Sequence, residues 1–123
     1  MKKIKGLIFA LLLPLIALAA CATHYHKEGV FHNGYSDYKI AEDRFVVTFR
    51  ANEFTPQEKV LEYALKRAAV LTLKQGFRYF VVLEQADSAK DLHYPSLRLV
   101  IQCYAEPPLE KESIDAPVFL AQH

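Results

Sequence analysis

The chain has few of the residues that build disulfide scaffolds and reactive centres. Its 123 residues include two cysteines, one methionine and no tryptophan. Cys21 lies at the end of an apolar run, which leaves Cys103 without an expected partner and excludes a disulfide framework. Gly-x-Ser-x-Gly elbows, phosphate-binding glycine loops and Cys-x-x-Cys pairs are also missing. We therefore expect a protein that is not an enzyme and needs no cofactor.

Acidic residues are missing from the N-terminal segment. Three of the 15 lysines and arginines lie in the first 20 residues, whereas all 14 acidic residues follow from Glu28 onward. The chain beyond residue 20 therefore has a net charge of −2, which excludes the basic surface of a nucleic-acid-binding protein. About 100 residues build only one small core, so a multidomain enzyme is excluded as well.

The N-terminal segment has the layout of a secretory signal peptide. Its three lysines precede an apolar run of 12 residues, 7–18, and two alanines follow. Leu18-Ala19-Ala20-Cys21 resembles the lipobox of bacterial lipoproteins, in which the cysteine thiol receives a diacylglyceryl group and the peptidase cuts before it. The resemblance implies that residues 1–20 are a lipoprotein signal peptide and that Cys21 is the lipid attachment residue.

The alternative is an uncleaved transmembrane anchor. Residues 6–22 carry no charge, but 17 residues are at the lower limit for spanning a bilayer. Pro14 in the middle of the run and the cysteine at the cleavage point favour the lipobox. The acyl chains of a mature lipoprotein make release from the membrane negligible. Ala22 stands where aspartate commonly signals inner-membrane retention, so the resemblance implies the outer membrane, with the domain facing the periplasm.

A short polar stretch follows the cysteine, and residues 21–29 are interpreted as a tether. His24 and His26, with His32 further on, are imidazole ligands of the kind that bind zinc or copper. A flexible segment offers them no fixed geometry and no neighbouring groups to orient the rings. The sequence therefore favours a solvated linker, including Lys27, over a metal site.

Residues 30–105 are expected to form one folded domain. Gly34-Tyr35-Ser36-Asp37 is typical of a turn, because glycine, serine and aspartate all favour turns. A short strand is predicted for residues 38–40 and a stronger one for residues 44–50. Val46 adds an apolar residue to the outer face of the stronger strand. In that strand we expect the side chains of Phe45, Val47 and Phe49 to face the core, and those of Arg44, Thr48 and Arg50 to face solvent.

A helix is the clearest local prediction. Thr55, Pro56 and Glu58 fit a capping box with Thr55 as N-cap and proline at the first helical position. Gly76 is expected in the C′ position that ends the helix. The stripe predicted to pack on a sheet consists of Leu61, Ala64, Leu65, Ala68, Leu71 and Thr72.

Charged residues of the helix have ordinary structural interpretations. Glu62 and Lys66 are spaced for an i,i+4 ion pair on the solvated face. Arg67 is flanked by expected core positions, so its aliphatic stem can cover the sheet edge. A pairing with an acidic side chain such as Asp37 is the second possibility, and both are favoured over a ligand-binding role.

Two further strands are expected after the helix. Residues 77–84 are apolar on both faces, as in a central strand, and residues 97–104 return as its antiparallel partner. Cys103 shares one face with Leu97, Leu99 and Ile101, so we interpret it as a small buried hydrophobic residue rather than a reactive thiol.

The remaining residues, 106–123, are expected to be a C-terminal tail. Its apolar residues 118–120 either pack on the sheet or stay loose. The predicted fold class is therefore α+β. Its small, mostly antiparallel sheet has three to four strands and packs against one main helix, in the order β-β-α-β-β.

Residues 34–84 contain four short motifs, which are Gly34-Tyr35-Ser36-Asp37, the strand 44–50 with Asn52 and Thr55, Arg67-Ala68-Ala69 with Leu71-Thr72, and Gly76 with Tyr79-Phe80. Together they resemble a group of small lipoproteins of Gram-negative bacteria to which no reaction is assigned. Ala51 replaces the usual glycine at the end of the strand motif, and Val70 replaces the usual glutamate of the helix motif. The resemblance implies an envelope location and an α+β fold, but no activity.

The remaining candidates for catalysis are weak. Glu42 and Asp43 lie in a predicted turn, where both carboxylates are solvated and unsuited to acid catalysis. His93 has no nucleophile near it in the sequence. Two functions stay open: an envelope accessory that binds a periplasmic protein through a sheet face carrying Arg44 and Arg50, and a small-ligand carrier or sensor.

Overall fold

The computed structural model describes residues 25, 27, 34–52, 54–87 and 95–123. Within these residues no helix is long and apolar enough to cross a membrane. The predictions for Cys21, His24, His26, His32 and His93 concern residues outside this set. The elements in chain order are β1 (Gly34–Ala41), β2 (Arg44–Arg50), α1 (Gln57–Lys74), β3 (Tyr79–Asp87), β4 (Ser96–Tyr104), β5 (Ile114–Asp115) and α2 (Ala116–Gln122).

The α+β class and the antiparallel sheet are confirmed, but the sheet is larger than predicted. It has five strands in the order β1-β2-β4-β3-β5, and two helices pack on it. β4 lies at the centre, and the strand predicted over residues 77–84 as a central one is β3, an interior strand between β4 and β5. The hairpin pairing of β3 with β4 is as predicted. The strand order differs from the prediction because the C-terminal residues add a strand beside β3.

The C-terminal residues 114–122 account for the additional elements. Ile114 pairs with Phe80, and Asp115 is the N-cap of α2, where its side chain accepts a hydrogen bond from the Val118 amide at 3.3 Å. Phe119 packs against the core together with Leu120. A strand of two residues has no measurable periodicity, and a helix of seven residues has little, so the sequence did not indicate either one.

The predicted turn at residues 34–37 was wrong, because these residues form the first half of β1. Gly34 has a φ of 110° and pairs with Arg50, while Tyr35 and Asp37 pair with Phe49 and Val47. Serine and aspartate favour turns only when no stronger interaction competes. Here the ladder with β2 and the ion pair of Asp37 described below favour the extended chain.

The predicted alternation of β2 is confirmed. Phe45, Val47 and Phe49 are buried, whereas Arg44 and Arg50 are exposed. The three apolar residues face α1, which packs on this side of the sheet with alanines that permit a close approach. The core between the sheet and α1 also includes Val60, Ala64, Ala68, Phe80, Leu97, Leu99, Ile101 and Cys103.

Only the C-terminal end of α1 agrees with the prediction. The helix begins at Gln57 with Pro56 as N-cap, one residue later than predicted, and the Thr55 hydroxyl donates to Asn52 Oδ1 at 3.0 Å. At the other end Gly76 has a φ of 87° as expected for C′. Hydrogen bonds from the Gly76 amide to the Leu73 carbonyl, and from the Phe77 amide to the Thr72 carbonyl, complete a Schellman motif.

The buried stripe of α1 is rotated from the predicted one. Leu61 and Leu65 are only half-buried, whereas Val60 and Ala69 are fully buried. Consecutive helical residues point about 100° apart, so the line through Val60, Ala64 and Ala68 faces the sheet and the two leucines lie beside it. The predicted pair of Glu62 and Lys66 is replaced by other contacts. Glu62 contacts Lys59 at 3.2 Å and His123 at 3.7 Å.

Candidate functional site

One face of the sheet has no described element over it. Both helices pack on the side of Phe45, Val47 and Phe49. The opposite side carries the alternate residues of each strand, as their cross-strand pairing shows. We call it the open face, and its outward residues include Tyr38, Arg44, Val46, Arg50, Val81, Arg98, Val100 and Gln102.

The centre of the open face is apolar and largely buried. Tyr38, Val46 and Val100 form one cross-strand row over β1, β2 and β4. Val46 is 4% exposed and Gln102 is 8% exposed, although neither of the two described helices covers them. The Gln102 amide oxygen accepts a hydrogen bond of 2.9 Å from Arg44 Nε, so its polar side chain is satisfied. Tyr38 at the end of this row is the exposed member, with 57% of its surface accessible.

Arginines surround the apolar row. Arg44, Arg50 and Arg98 occupy outward positions of β2 and β4 and are exposed. The outward positions of these two strands include no carboxylate, and Glu84 of β3 lies opposite Val100. An apolar centre with a polar rim is the usual anatomy of a protein interface, and the outward charged residues of β2 and β4 are all positive. The sequence analysis predicted Arg44 and Arg50 as outward residues, and the structure adds Arg98 from β4.

A second cluster lies where β1 meets the middle of α1. Arg67 Nε donates to Asp37 Oδ2 at 2.6 Å, and both side chains are largely buried. Of the two structural possibilities considered for Arg67, the structure shows the pairing with Asp37. The guanidinium also lies 4.3 Å from the centre of the Tyr35 ring. Burial by itself would lower the pKa of Arg67, but the hydrogen bond and charge of Asp37 raise it overall, so Arg67 stays charged.

Tyr25 joins this cluster from the predicted tether. Its ring stacks on Tyr35 at 5.2 Å between centroids and lies 6.1 Å from the Tyr63 ring. Lys66 Nζ lies 5.0 Å from the centre of the Tyr25 ring. Burial raises the pKa of the Tyr25 hydroxyl, and the charge and hydrogen bond of Arg67 partly offset this. We call Tyr25, Tyr35, Asp37, Tyr63 and Arg67 the arginine–tyrosine cluster.

The docking of Tyr25 corrects the view of residues 21–29 as a solvated linker, at least for the two residues described. Lys27 is exposed, yet its backbone forms a parallel bridge with Tyr35 at the edge of β1. The only sequence signal for this contact is an aromatic residue in an otherwise polar stretch. Such a residue gains free energy by packing on another ring, which no local pattern shows.

Cys103 is buried, as predicted. Thr72 Oγ1 donates to the Ala68 carbonyl at 2.7 Å, so the thiol is the donor in the 3.4 Å contact between Cys103 Sγ and Thr72 Oγ1. Burial raises the pKa of this thiol, which keeps it protonated and unreactive at neutral pH.

Glu42 and His123 are polar residues on the surface. Glu42 pairs with Lys39 at 2.9 Å in the exposed turn between β1 and β2. The ring of His123, which the sequence analysis did not single out, stacks on Phe119. Among the residues that the structure describes, no group of three or more His, Cys, Asp or Glu side chains is placed to hold a metal ion.

Comparison with known proteins gives no match: no family model, no curated protein and no solved structure is significantly similar to this chain.

Proposed function

We propose that the protein is a lipoprotein of the bacterial outer membrane whose periplasmic domain binds an acidic segment of another envelope protein through the open face. The anchor in this proposal is the lipid on Cys21, supported by the lipobox-like residues 18–21. The domain acts as a non-enzymatic accessory or interaction module. The interaction is supported by the side chains of the open face.

The observation that carries the proposal is the positive rim around an apolar row. Tyr38 is 57% exposed and offers a large amphipathic ring beside the shielded Val46. Tyrosine and arginine are enriched among residues that dominate binding energy. Arg50 and Arg98 lie on neighbouring strands, so an acidic segment on the row can contact both guanidinium groups while its apolar side chains contact Tyr38.

The alternative, a small-ligand carrier, has less support. Its ligand site was expected under the helix, where Phe45, Phe49 and Phe80 face the alanines of α1 with almost no solvent exposure. A typical ligand site needs a cavity of about 300 Å³ or more. The buried side chains at this position favour a packed core, so we propose the interaction function instead.

A photo-crosslinking residue in place of Tyr38 tests the interaction in whole cells. Arg50→Glu combined with Arg98→Glu should abolish the crosslink, because two attractive contacts become repulsive. Arg44 stays unchanged, since it holds Gln102 in place. The matched control is Lys74→Glu with Lys111→Glu, two exposed lysines outside the open face, which changes the net charge equally.

The crosslinked peptide, sequenced by mass spectrometry, should be acidic. A crosslink that survives the arginine variant, or that the lysine variant abolishes equally, would contradict the proposal. The anchor has its own test, because mass spectrometry of the mature N-terminus should find acylated Cys21. An unmodified Cys21, or a chain still beginning with Met1, would exclude the lipoprotein.

A further inference from the structure

The arginine–tyrosine cluster holds a residue that lies very close to the proposed lipid anchor in the sequence. Tyr25 follows Cys21 by four residues. Four residues of extended chain span at most about 14 Å. The first strand residue, Gly34, is 13 residues from Cys21, and a flexible chain of that length has a mean end-to-end distance of about 20 Å and a much longer reach. The largest possible distance between the domain and the membrane therefore depends on whether Tyr25 stays packed on the domain.

Several contacts hold Tyr25 on the domain. Its ring stacks on Tyr35 and is close to Tyr63, and Lys66 Nζ lies 5.0 Å from its centre. The Arg67 guanidinium over the Tyr35 ring is fixed by the 2.6 Å bond to Asp37. The bridge between Lys27 and Tyr35 fixes the backbone two residues further on. An aromatic ring, a backbone pair and a buried ion pair together form a clamp on this segment.

The surface around the clamp has the charge that fits phospholipid. Lys66 lies over the Tyr25 ring and Lys27 is exposed at the edge of β1. Tyrosine rings are enriched at the level of the headgroups, where one end is wet and the other apolar. Lysines close to an anionic leaflet are attracted to it over a distance of about 8–10 Å in physiological salt.

From these observations we infer that the arginine–tyrosine cluster clamps the chain directly after the lipidated cysteine. The domain then lies against the membrane surface, with Lys27 and Lys66 beside the lipid phosphates, rather than moving freely on a tether. The inference rests on the lipid anchor of the proposed function. It adds a fixed orientation of the domain and assigns the membrane surface as a second partner.

Two insertions of the same Gly-Ser segment test the clamp in the full lipoprotein. One lies between Ala22 and Thr23, ahead of the clamp, and the other between Glu28 and Gly29, behind it. Only the first lengthens the path from the lipid to the domain if Tyr25 is held. A fluorophore on Lys59→Cys, in vesicles of phosphatidylethanolamine and phosphatidylglycerol that contain a spin-labelled headgroup, reports the distance by quenching. Cys103 is buried, so the label attaches to the new cysteine.

We expect strong quenching in the parent protein and behind-clamp insertion, and severalfold weaker quenching in the ahead-of-clamp insertion. Equal effects of the two insertions would overturn the clamp, and so would weak quenching in the parent. Tyr25→Ser should weaken quenching like the ahead-of-clamp insertion, whereas Tyr25→Phe and the open-face control Tyr38→Ser should not. A Tyr25→Ser variant quenched like the parent would also overturn it.

The lipid contact and the anchor are tested separately. Lys27→Glu with Lys66→Glu should weaken quenching on phosphatidylglycerol vesicles, and unchanged quenching would overturn the phosphate contact. Mass spectrometry of the same samples shows whether Cys21 is acylated. In a Cys21→Ser chain, slow hydrogen exchange of the Lys27 amide would support the clamp without any lipid, and fast exchange would overturn it. These measurements can therefore contradict the clamp without contradicting the lipid anchor, and they can contradict the anchor without contradicting the clamp.

Discussion

The two faces of the sheet bury side chains by different means. On the face under α1, Val47 and Phe49 have no solvent exposure, because a second layer of structure packs on them. On the open face Val46 and Gln102 are almost as buried, although neither described helix packs on them, and Arg44 Nε donates a hydrogen bond to the Gln102 side chain. Burial alone therefore does not identify the core. Truncating a side chain that no second layer covers should lower the free energy of unfolding by less, because neighbouring side chains can move into the space.

The largest effect is expected from a residue on the covered face. Phe49→Ala should lower the free energy of unfolding by about 3–5 kcal/mol, because it leaves a cavity against α1 and removes the ring contact with Tyr63 at 5.0 Å. Urea denaturation measures the change. Tyr38→Ala on the open face is the control and should cost less than about 1 kcal/mol. Similar costs for both would mean that the open face contributes to stability as a second core.

A sharper comparison uses two neighbouring valines of β2. Val47→Ala on the covered face should cost about 2–3 kcal/mol, whereas Val46→Ala on the open face should cost about 1 kcal/mol, since side chains can close over the gap. The two substitutions remove the same atoms from the same strand, so strand propensity cancels. Equal losses in urea denaturation would show that the open face is packed as rigidly as the covered one.

A smaller, pH-dependent effect is expected from Cys103 on the covered face. Burial raises the pKa of its thiol in the folded state, so the unfolded chain loses its proton first as the pH rises. Stability should therefore be complete below about pH 8.5 and fall above it, by at most about 1.4 kcal/mol per pH unit. Urea denaturation of the Cys21→Ser chain measures the slope, and Cys103→Ala should remove this part of it. An unchanged slope would mean that other groups cause the alkaline loss.

The features that were predicted correctly depend on interactions between residues that are close in the sequence. The alternation of β2 and the glycine end of α1 were predicted correctly, because period-two patterning and a left-handed C′ residue act within a few positions. The pairing of Arg67 with Asp37 was one of two possibilities that the sequence left open, since a charged side chain among core residues needs a partner. Arg44 and Arg50 of the open face followed from the same alternation.

The features that were missed depend on distant parts of the chain. The first half of β1, residues 34–37, was interpreted as a turn because its strand character comes from pairing with β2 and from Arg67 on the helix. β5 exists only because β3 offers an edge. The docking of Tyr25 requires Tyr35 and Tyr63 to be brought together first. Propensity cannot show such contacts, because each one is a property of the assembled fold.

The position of β4 between β2 and β3 has a consequence for how the chain acquires its structure. The bond between Arg44 and Gln102 joins residues that are 58 positions apart. A chain that emerges N-terminus first can form the β1–β2 hairpin and α1 early, but one edge of β2 stays unpaired until β4 arrives. Non-local pairing of this kind slows folding. Until β4 is available, the incomplete chain therefore exposes an unpaired edge of β2 that can associate with other chains. A chaperone that prevents aggregation is most useful before β4 pairs with β2.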